Sequence, residues 1–321
     1  MRKVKYGIVS TAQVVPRFIA GVRETQIGEI VAISSRSIDN AQAFAKKYDI
    51  PKYYGSESAM FSDSEIDVVY IATYNQGHYA SAKAALLAGK HVLLEKPFTL
   101  KISEAHELFA LAKANHLFLM EAQKSVFLPL THKVKQIISS GVLGEIISIF
   151  SVTAYASVDH VKWFESLEAG GGATHFMASY ALSYLPYILG EKIVDFNGVA
   201  EFTKGKSDVQ SMLNLAFESG ILANIYLTTK KGLPKEVKII GRQAELIIPE
   251  FWRGVKAEIH YNDGSREVFT APFSSDFKFE VDHVNQLITS GATASNIMTP
   301  ELTMLGVQIM DTLYQRWSSQ R

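Results

Sequence analysis

Cysteine is absent from all 321 residues. That excludes disulfides, thiol nucleophiles and thiolate metal sites, and it is compatible with a reducing compartment. Charge of one sign is lacking too. The 32 lysines and arginines are matched by 32 aspartates and glutamates, so no long-range field gathers nucleic acid or an anionic membrane, and neither is expected as a partner. No run of about 18 apolar residues is available to span a bilayer, and Met1-Arg2-Lys3 passes into a strand with no apolar signal segment. A cytoplasmic location is expected. Internal repeats, low-complexity tracts and flexible linkers are missing as well. No His, Asp and Glu cluster has metal-ligand spacing, so no metal is expected.

What remains is a chain long enough for two cores, since single cores stop growing near about 250–300 residues. In the first part, strands of buried composition (4–9, 30–34, 67–72, 92–94, 117–121, with a short segment around Tyr53) alternate with helices (12–23, 41–48, 77–88, 103–115). That alternation predicts a doubly wound parallel sheet with right-handed crossovers. Around residue 122 the pattern changes. A long helix over 126–139 is followed by β-rich runs at 145–156, 193–202, 209–217, 221–228, 236–240, 245–248, 257–261 and 267–270, with Ser219-Gly220 and Asp263-Gly264 as hairpin turns. Helices are expected near 174–189, 277–290 and 300–317. The predicted architecture is α/β, with a parallel-sheet domain over 1–122 and an α+β domain over 123–321 built on a large, mostly antiparallel open sheet. One face of such a sheet exposes apolar surface, which predicts a homodimer or homotetramer formed through it.

The first strand, turn and helix read as the opening of a dinucleotide-binding Rossmann domain, although the G-x-G-x-x-G fingerprint is missing. Ser10, Ala12 and Val15 stand at its glycine positions. Small residues at the first two leave room for backbone to approach pyrophosphate, whereas valine at the third should push the helix slightly outward. Ser10 and Thr11 add hydroxyls that donate to phosphate, and the helix N-terminus adds amides. The second strand ends in Ser35-Arg36-Ser37 with no acid at its tip to accept from a ribose 2'-hydroxyl. Arginine and serine suit a 2'-phosphate, so NADP is expected over NAD. Val92-Leu93-Leu94 is a buried strand that Pro97 stops, placing Lys96 at a carboxyl end, where open α/β sheets bind their ligands. Thr73, Tyr74 and Asn75 end the preceding strand. His78 follows in the first turn of a helix, where the dipole favours a neutral imidazole.

Gly7-Ile8-Val9-Ser10-Thr11-Ala12, Val69-Tyr70-Ile71-Ala72-Thr73-Tyr74-Asn75 with His78, Glu95-Lys96-Pro97, Gly141-Val142-Leu143-Gly144-Glu145-Ile146, and Gly170-Gly171-Gly172 leading to Tyr180 follow one another in a telling order. Over nearly the whole chain this resembles the Gfo/Idh/MocA family of pyridine-nucleotide oxidoreductases, and most of all its dihydrodiol and sugar dehydrogenase branch, where a tyrosine stands at the position of Tyr180. The resemblance implies that Asn75 and His78 line the cofactor crevice and that Tyr180 lies beside the substrate carbon with Lys96 opposite, across a cleft between the halves. The expected cofactor site comprises Ser10, Thr11, Ala12, Ser35, Arg36, Thr73, Asn75, His78, Glu95 and Lys96. The expected catalytic pair is Lys96 and Tyr180. Hydride leaving a carbinol carbon requires a proton to leave its oxygen, and a phenol with an ordinary pKa of about 10 is a poor base at neutral pH. A nearby ammonium stabilises phenolate, so Lys96 and Tyr180 together do what neither does alone.

The chain departs from the family's pattern in places. Relatives usually carry aspartate four residues before the tyrosine, where this chain has Phe176. His175 is turned about 140° from Tyr180 on a regular helix and faces with Ser179. Asp159 and His160, close to Trp163 and Phe164, are the other proton-transfer candidates. Val126 replaces an arginine common in relatives before Phe127-Leu128-Pro129, which weakens the case for an anionic substrate. The expected activity is NAD(P)-dependent hydride transfer between nicotinamide C4 and a hydroxyl or carbonyl carbon of a small sugar, polyol or cyclic diol. The alternative is a catalytically inactive NADP-binding sensor or regulatory protein on the same fold, which Phe176 favours and Lys96 with Tyr180 opposes.

Overall fold

A computed structural model describes residues 2–319. The chain forms two units: residues up to Gln123 together with Ser275–Met304, and Lys124–Ser274 together with the chain from Leu305 on.

In the first unit β1 (Val4–Val9), α1 (Val15–Arg23), β2 (Gly28–Ser34), α2 (Ile38–Tyr48), β3 (Lys52–Tyr54), α3 (Glu57–Phe61), β4 (Val68–Ile71), α4 (Gly77–Leu87), β5 (His91–Glu95), α5 (Ile102–Ala114) and β6 (Leu119–Ala122) follow in order. The strands form one parallel sheet in the order β3-β2-β1-β4-β5-β6. The reversal of strand order between β1 and β4, with every strand still parallel, is the doubly wound arrangement that the strand–helix alternation predicts. Val68, Val69, Tyr70 and Ile71 are all fully buried, as a strand covered on both faces requires. Helix α1 starts at Val15, three residues later than its apolar spacing predicts, because Ser10 takes up φ 91° and the turn runs on to Val14.

The segment 275–304, expected with the second half, belongs to this unit. Its helix α8 (Lys278–Thr289) packs on α1. Phe18 lies between them and the sheet, stacked at 3.7 Å on Tyr70 and edge-on at 6.1 Å to Phe277. A Cβ on Gly21 would come within 2.5 Å of Phe277 Cβ, so glycine is what allows the approach. Tyr6 donates to Asn285 Oδ1 at 2.7 Å inside the same contact. Helical periodicity reveals that a face is buried but not which neighbour buries it.

The second unit opens with a 3-10 turn over Lys124–Val126 and then α6 (Pro129–Ser139). The single helix expected over 126–139 is broken because Leu128, held extended at φ −63° and ψ 142°, precedes Pro129, which starts the true helix. Then come β7 (Ile146–Ala154), α7 (Ala173–Leu189), β8 (Ile193–Phe202), β9 (Asp208–Phe217), β10 (Leu222–Thr228), β11 (Glu236–Gly241), β12 (Ala244–Pro249), β13 (Lys256–Tyr261), β14 (Arg266–Thr270) and, after α8, the closing α9 (Pro300–Ser319). The strands form one sheet in the order β14-β13-β12-β11-β7-β10-β9-β8, antiparallel except where β7 meets β10. Ile149, Leu213, Ile225, Ile239 and Leu246 point into the core beneath α7, while Phe150, Val199, Met212 and Leu222 alternate onto an exposed face. That face also carries a cross-strand asparagine ladder, Asn214 donating to Asn197 at 2.9 Å and Asn224 to Asn214 at 2.8 Å. Among the described residues no helix is long and apolar enough to cross a membrane.

Candidate active site

Because the first sheet is parallel, the turns after β1, β2, β4 and β5 all leave from its carboxyl edge. Ser10 donates its N–H to Ser34 O at 2.9 Å and accepts from the Ala12 amide through Oγ at 3.1 Å. Helix α1 begins without a side-chain cap and with Pro16 in its first turn, and Val15 is fully buried. Ser34 Oγ is buried without a hydrogen-bond partner. Beside it the Ser35 amide donates to Tyr54 O at 3.1 Å, and Ser37 caps α2 by accepting from the Asn40 amide at 3.3 Å. Of the three residues at this tip, Arg36 is the exposed one. An uncapped helix end flanked by small hydroxyl residues, with a guanidinium at the neighbouring strand tip, is the donor set that a phosphorylated dinucleotide needs. NADP therefore fits the residues present.

Between β4 and β5, His78 is wholly buried, with Nδ1 2.8 Å from Pro97 O and Nε2 3.2 Å from Thr73 O. Burial pushes its pKa down although both carbonyls pull it up, and the ring sits between the Lys96-Pro97 turn and the end of β4. Asn75 is buried and Thr73 half-buried beside it. Glu95 accepts from Tyr70 Oη at 2.7 Å and from the Lys96 amide at 3.0 Å, which fixes the backbone from which the half-buried Lys96 side chain departs.

Glu121, at the end of β6, is a carboxyl that the sequence reading passes over. Burial pushes its pKa from 4.5 up to about 8, Glu95 adding to the rise and Lys96 opposing it. In the unfolded chain it ionises first, so its contribution to stability is fully present below about 4.5 and is lost as the pH rises toward about 8. Over that interval the slope approaches ~1.4 kcal/mol per pH unit. Urea unfolding at several pH values should show this decline in the parent and a flatter profile in Glu121→Gln; matching slopes would mean the carboxyl is ionised in the folded protein.

In the second unit α7 is positioned by a buried carboxylate. Asp208 accepts from the Thr174 amide at 2.8 Å, from Thr174 Oγ1 at 2.8 Å and from Tyr314 Oη. Burial pushes its pKa up while these donors pull it down. Two of the glycines before α7 are required by their neighbours. A Cβ on Gly171 would lie 2.0 Å from Phe164 O, and one on Gly172, at φ 107°, 2.0 Å from Asp208 Oδ1. His175 is buried, stacked at 3.9 Å on Tyr314 and bonded through Nδ1 to Gly171 O at 3.1 Å; burial lowers its pKa to about 4. It faces with buried Ser179, away from Tyr180, and does not replace the missing aspartate. Asp159 and His160 are exposed on the loop after β7.

Tyr180, half-buried on α7, lies in a setting of mixed character. Phe176 is edge-on to Phe164 at 6.1 Å and to Tyr155 at 6.4 Å, so the position carries an aromatic cluster and no proton acceptor. Trp252 lies 6.1 Å from the Tyr180 ring. Lys124 donates from Nζ to Tyr180 Oη at 3.3 Å. The sequence reading misses Lys124, although the signal that singles out Lys96, a lysine just past the carboxyl end of a buried strand, applies to it equally: β6 ends at Ala122.

The profile of an "Oxidoreductase family, NAD-binding Rossmann fold" matches residues 4–123, and that of a "GFO/IDH/MocA C-terminal domain" matches residues 131–247. The chain is similar to trans-1,2-dihydrobenzene-1,2-diol dehydrogenase of Mus musculus, 26% identical over 323 residues that span 96% of this chain and 95% of the relative. Among solved structures, an aldose-aldose oxidoreductase from Caulobacter crescentus complexed with glycerol shares the fold at a TM-score of 0.90 and 21% identity, over 100% of this chain and 99% of the other. A 3-ketoreductase from Actinomadura kijaniata in complex with NADP and TDP-benzene does so at 0.89 and 22%, over 98% of each chain.

Proposed function

This chain belongs to the Gfo/Idh/MocA family of oxidoreductases with an NAD-binding Rossmann fold, and we propose that it interconverts a hydroxyl and a carbonyl on a small sugar, polyol or cyclic diol with NADP as its partner. The observation that carries the reading is the Glu95-Lys96-Pro97 turn, ending β5 on the carboxyl edge that also bears Ser10 and Arg36. When bound, the nicotinamide supplies the hydride acceptor or donor at C4. Ser10, Thr11, Ala12 and the start of α1 hold the pyrophosphate, and Ser35 with Arg36 the adenosine ribose and its 2'-phosphate. Thr73, Asn75, His78 and Glu95 shape the nicotinamide end. Lys96 polarises the substrate oxygen, and Tyr180 takes its proton as the carbon loses hydride, or returns it in the reverse direction. The diol dehydrogenase name of the mouse relative, and the sugar and ketone names of the solved neighbours, support this substrate class.

The exposed face of the eight-stranded sheet, with Phe150, Val199, Met212 and Leu222 around its asparagine ladder, supports a homodimer or homotetramer, which sedimentation of the parent against Phe150→Glu tests. The absence of cysteine agrees with a cytoplasmic location. The decisive experiment follows NADP and NAD reduction across a panel of cyclic diols, polyols and aldoses. Turnover with a preference for NADP is expected. Tight NADP binding without turnover on any of them would instead favour a cofactor-responsive sensor.

A further inference from the structure

Resting on the reading of Tyr180 as the proton relay, we propose that Lys124 is the cation that tunes this phenol, acting as a positioning residue for the proton transfer while Lys96 serves the substrate oxygen. Lys124 is only 5% exposed and lies in the 3-10 turn just past β6, whose backbone is pinned by Thr131 Oγ1 donating to Ser125 O at 2.6 Å. Its Nζ is 3.3 Å from Tyr180 Oη but 5.2 Å from the ring centroid. The ammonium therefore sits at the hydroxyl end and not over the ring face. A lysine ammonium can only donate, so the phenol oxygen must accept, and it accepts far better as phenolate. Trp252 and Phe176 line the surroundings with apolar surface, which strengthens the attraction relative to open water.

Other charged and titratable groups described nearby are directed to other partners. Tyr155, at the end of β7, is a second phenol whose pKa is pushed up, mainly by burial and further by Tyr180. Lys235 and Arg253 are turned toward Glu250, at 3.5 Å and 2.9 Å, and Lys235 lies 4.6 Å from the Tyr155 ring centroid. Arg253 and Lys124 both oppose the rise at Tyr155, but the hydrogen bond of Lys124 goes to Tyr180. During alcohol oxidation the O–H proton passes to the Tyr180 oxygen as the carbon loses hydride and becomes carbonyl. Lys124 holds the receiving oxygen ready without itself exchanging a proton.

The test pairs a binding-independent readout with a kinetic one. In cofactor-free protein with ζ-carbon-labelled tyrosine, Tyr180 is assigned by its loss in Tyr180→Phe and titrated by NMR. In the parent it should titrate at least about one unit below an ordinary phenol, and in Lys124→Met about one to two units higher than in the parent, with Lys124→Arg in between. The rising limb of kcat/KM for alcohol oxidation should move upward by the same interval, costing about 10- to 100-fold at neutral pH and recovering in base. A parent Tyr180 that titrates like an ordinary phenol overturns the assignment, whether or not Lys124→Met folds, and so does an unchanged titration in a Lys124→Met protein that melts like the parent. Full turnover by Tyr180→Phe would instead remove Tyr180 from the reaction, an outcome separate from the titration.

Discussion

Lys96→Met is expected to lower kcat for NADP-linked alcohol oxidation by about 10²- to 10⁴-fold, with the Kd for NADP moving by less than about tenfold. The substitution keeps the length of the side chain and removes its charge at the point where β5 ends. The backbone there is held independently of the side chain: the Lys96 amide by Glu95, and the Pro97 carbonyl by His78. What goes is the ammonium that draws electron density from the substrate oxygen, an effect that grows with the charge developed in the transition state and so falls on kcat. Tyr180→Phe should show a loss of similar size. The double variant should lose far less than the product of the two single losses, because groups that serve one proton transfer act as a unit. Stopped-flow measurement of nucleotide reduction in a single turnover isolates the chemical step. A Lys96→Met protein that keeps the parent's single-turnover rate would remove this residue from the mechanism.

The largest structural effect is expected at Asp208. Asp208→Ala leaves the Thr174 amide, the Thr174 hydroxyl and the Tyr314 hydroxyl without their shared acceptor inside the core. Each buried neutral donor left without an acceptor costs about 1–3 kcal/mol because it stays desolvated, so the set costs about 3–5 kcal/mol. That corresponds to a fall in Tm of about 10 °C for a unit of this size. Asp208→Asn retains an acceptor oxygen and should recover part of the loss. Because Asp208 anchors the first turn of α7, the alanine variant should also lose activity through Tyr180, six residues further along the same helix. Melting followed by circular dichroism decides the point; a Tm within about 2 °C of the parent would show that water or a rearranged turn replaces the carboxylate.

Much of the fold was legible because it depends on local periodicity. Three-to-six-residue apolar runs alternating with helical spacing leave few topologies open, and a parallel sheet is the one that buries such runs on both faces. The placement of Ser10, Arg36 and Lys96-Pro97 at the carboxyl ends of strands was equally readable, since the direction of each strand follows from the alternation. Features that depend on partners distant in sequence were not readable in this way. Helix α8 looks like any amphipathic helix, and its place against α1 rests on Gly21 and Phe277, 256 positions apart. The need for glycine before α7 rests in the same way on Phe164 and Asp208, which lie against Gly171 and Gly172.

By itself, then, the order of residues determined the parallel sheet, the loss of the glycine fingerprint, the lysine at a carboxyl edge and the membership of an oxidoreductase family, since each is written in contiguous segments. Tertiary structure alone decided that a buried aspartate anchors α7, that His175 belongs to the core, and that Lys124 meets the phenol of Tyr180. Those contacts join residues 34, 139 and 56 positions apart, and no local pattern encodes them: a side chain's partner across such a distance is chosen by how whole elements pack.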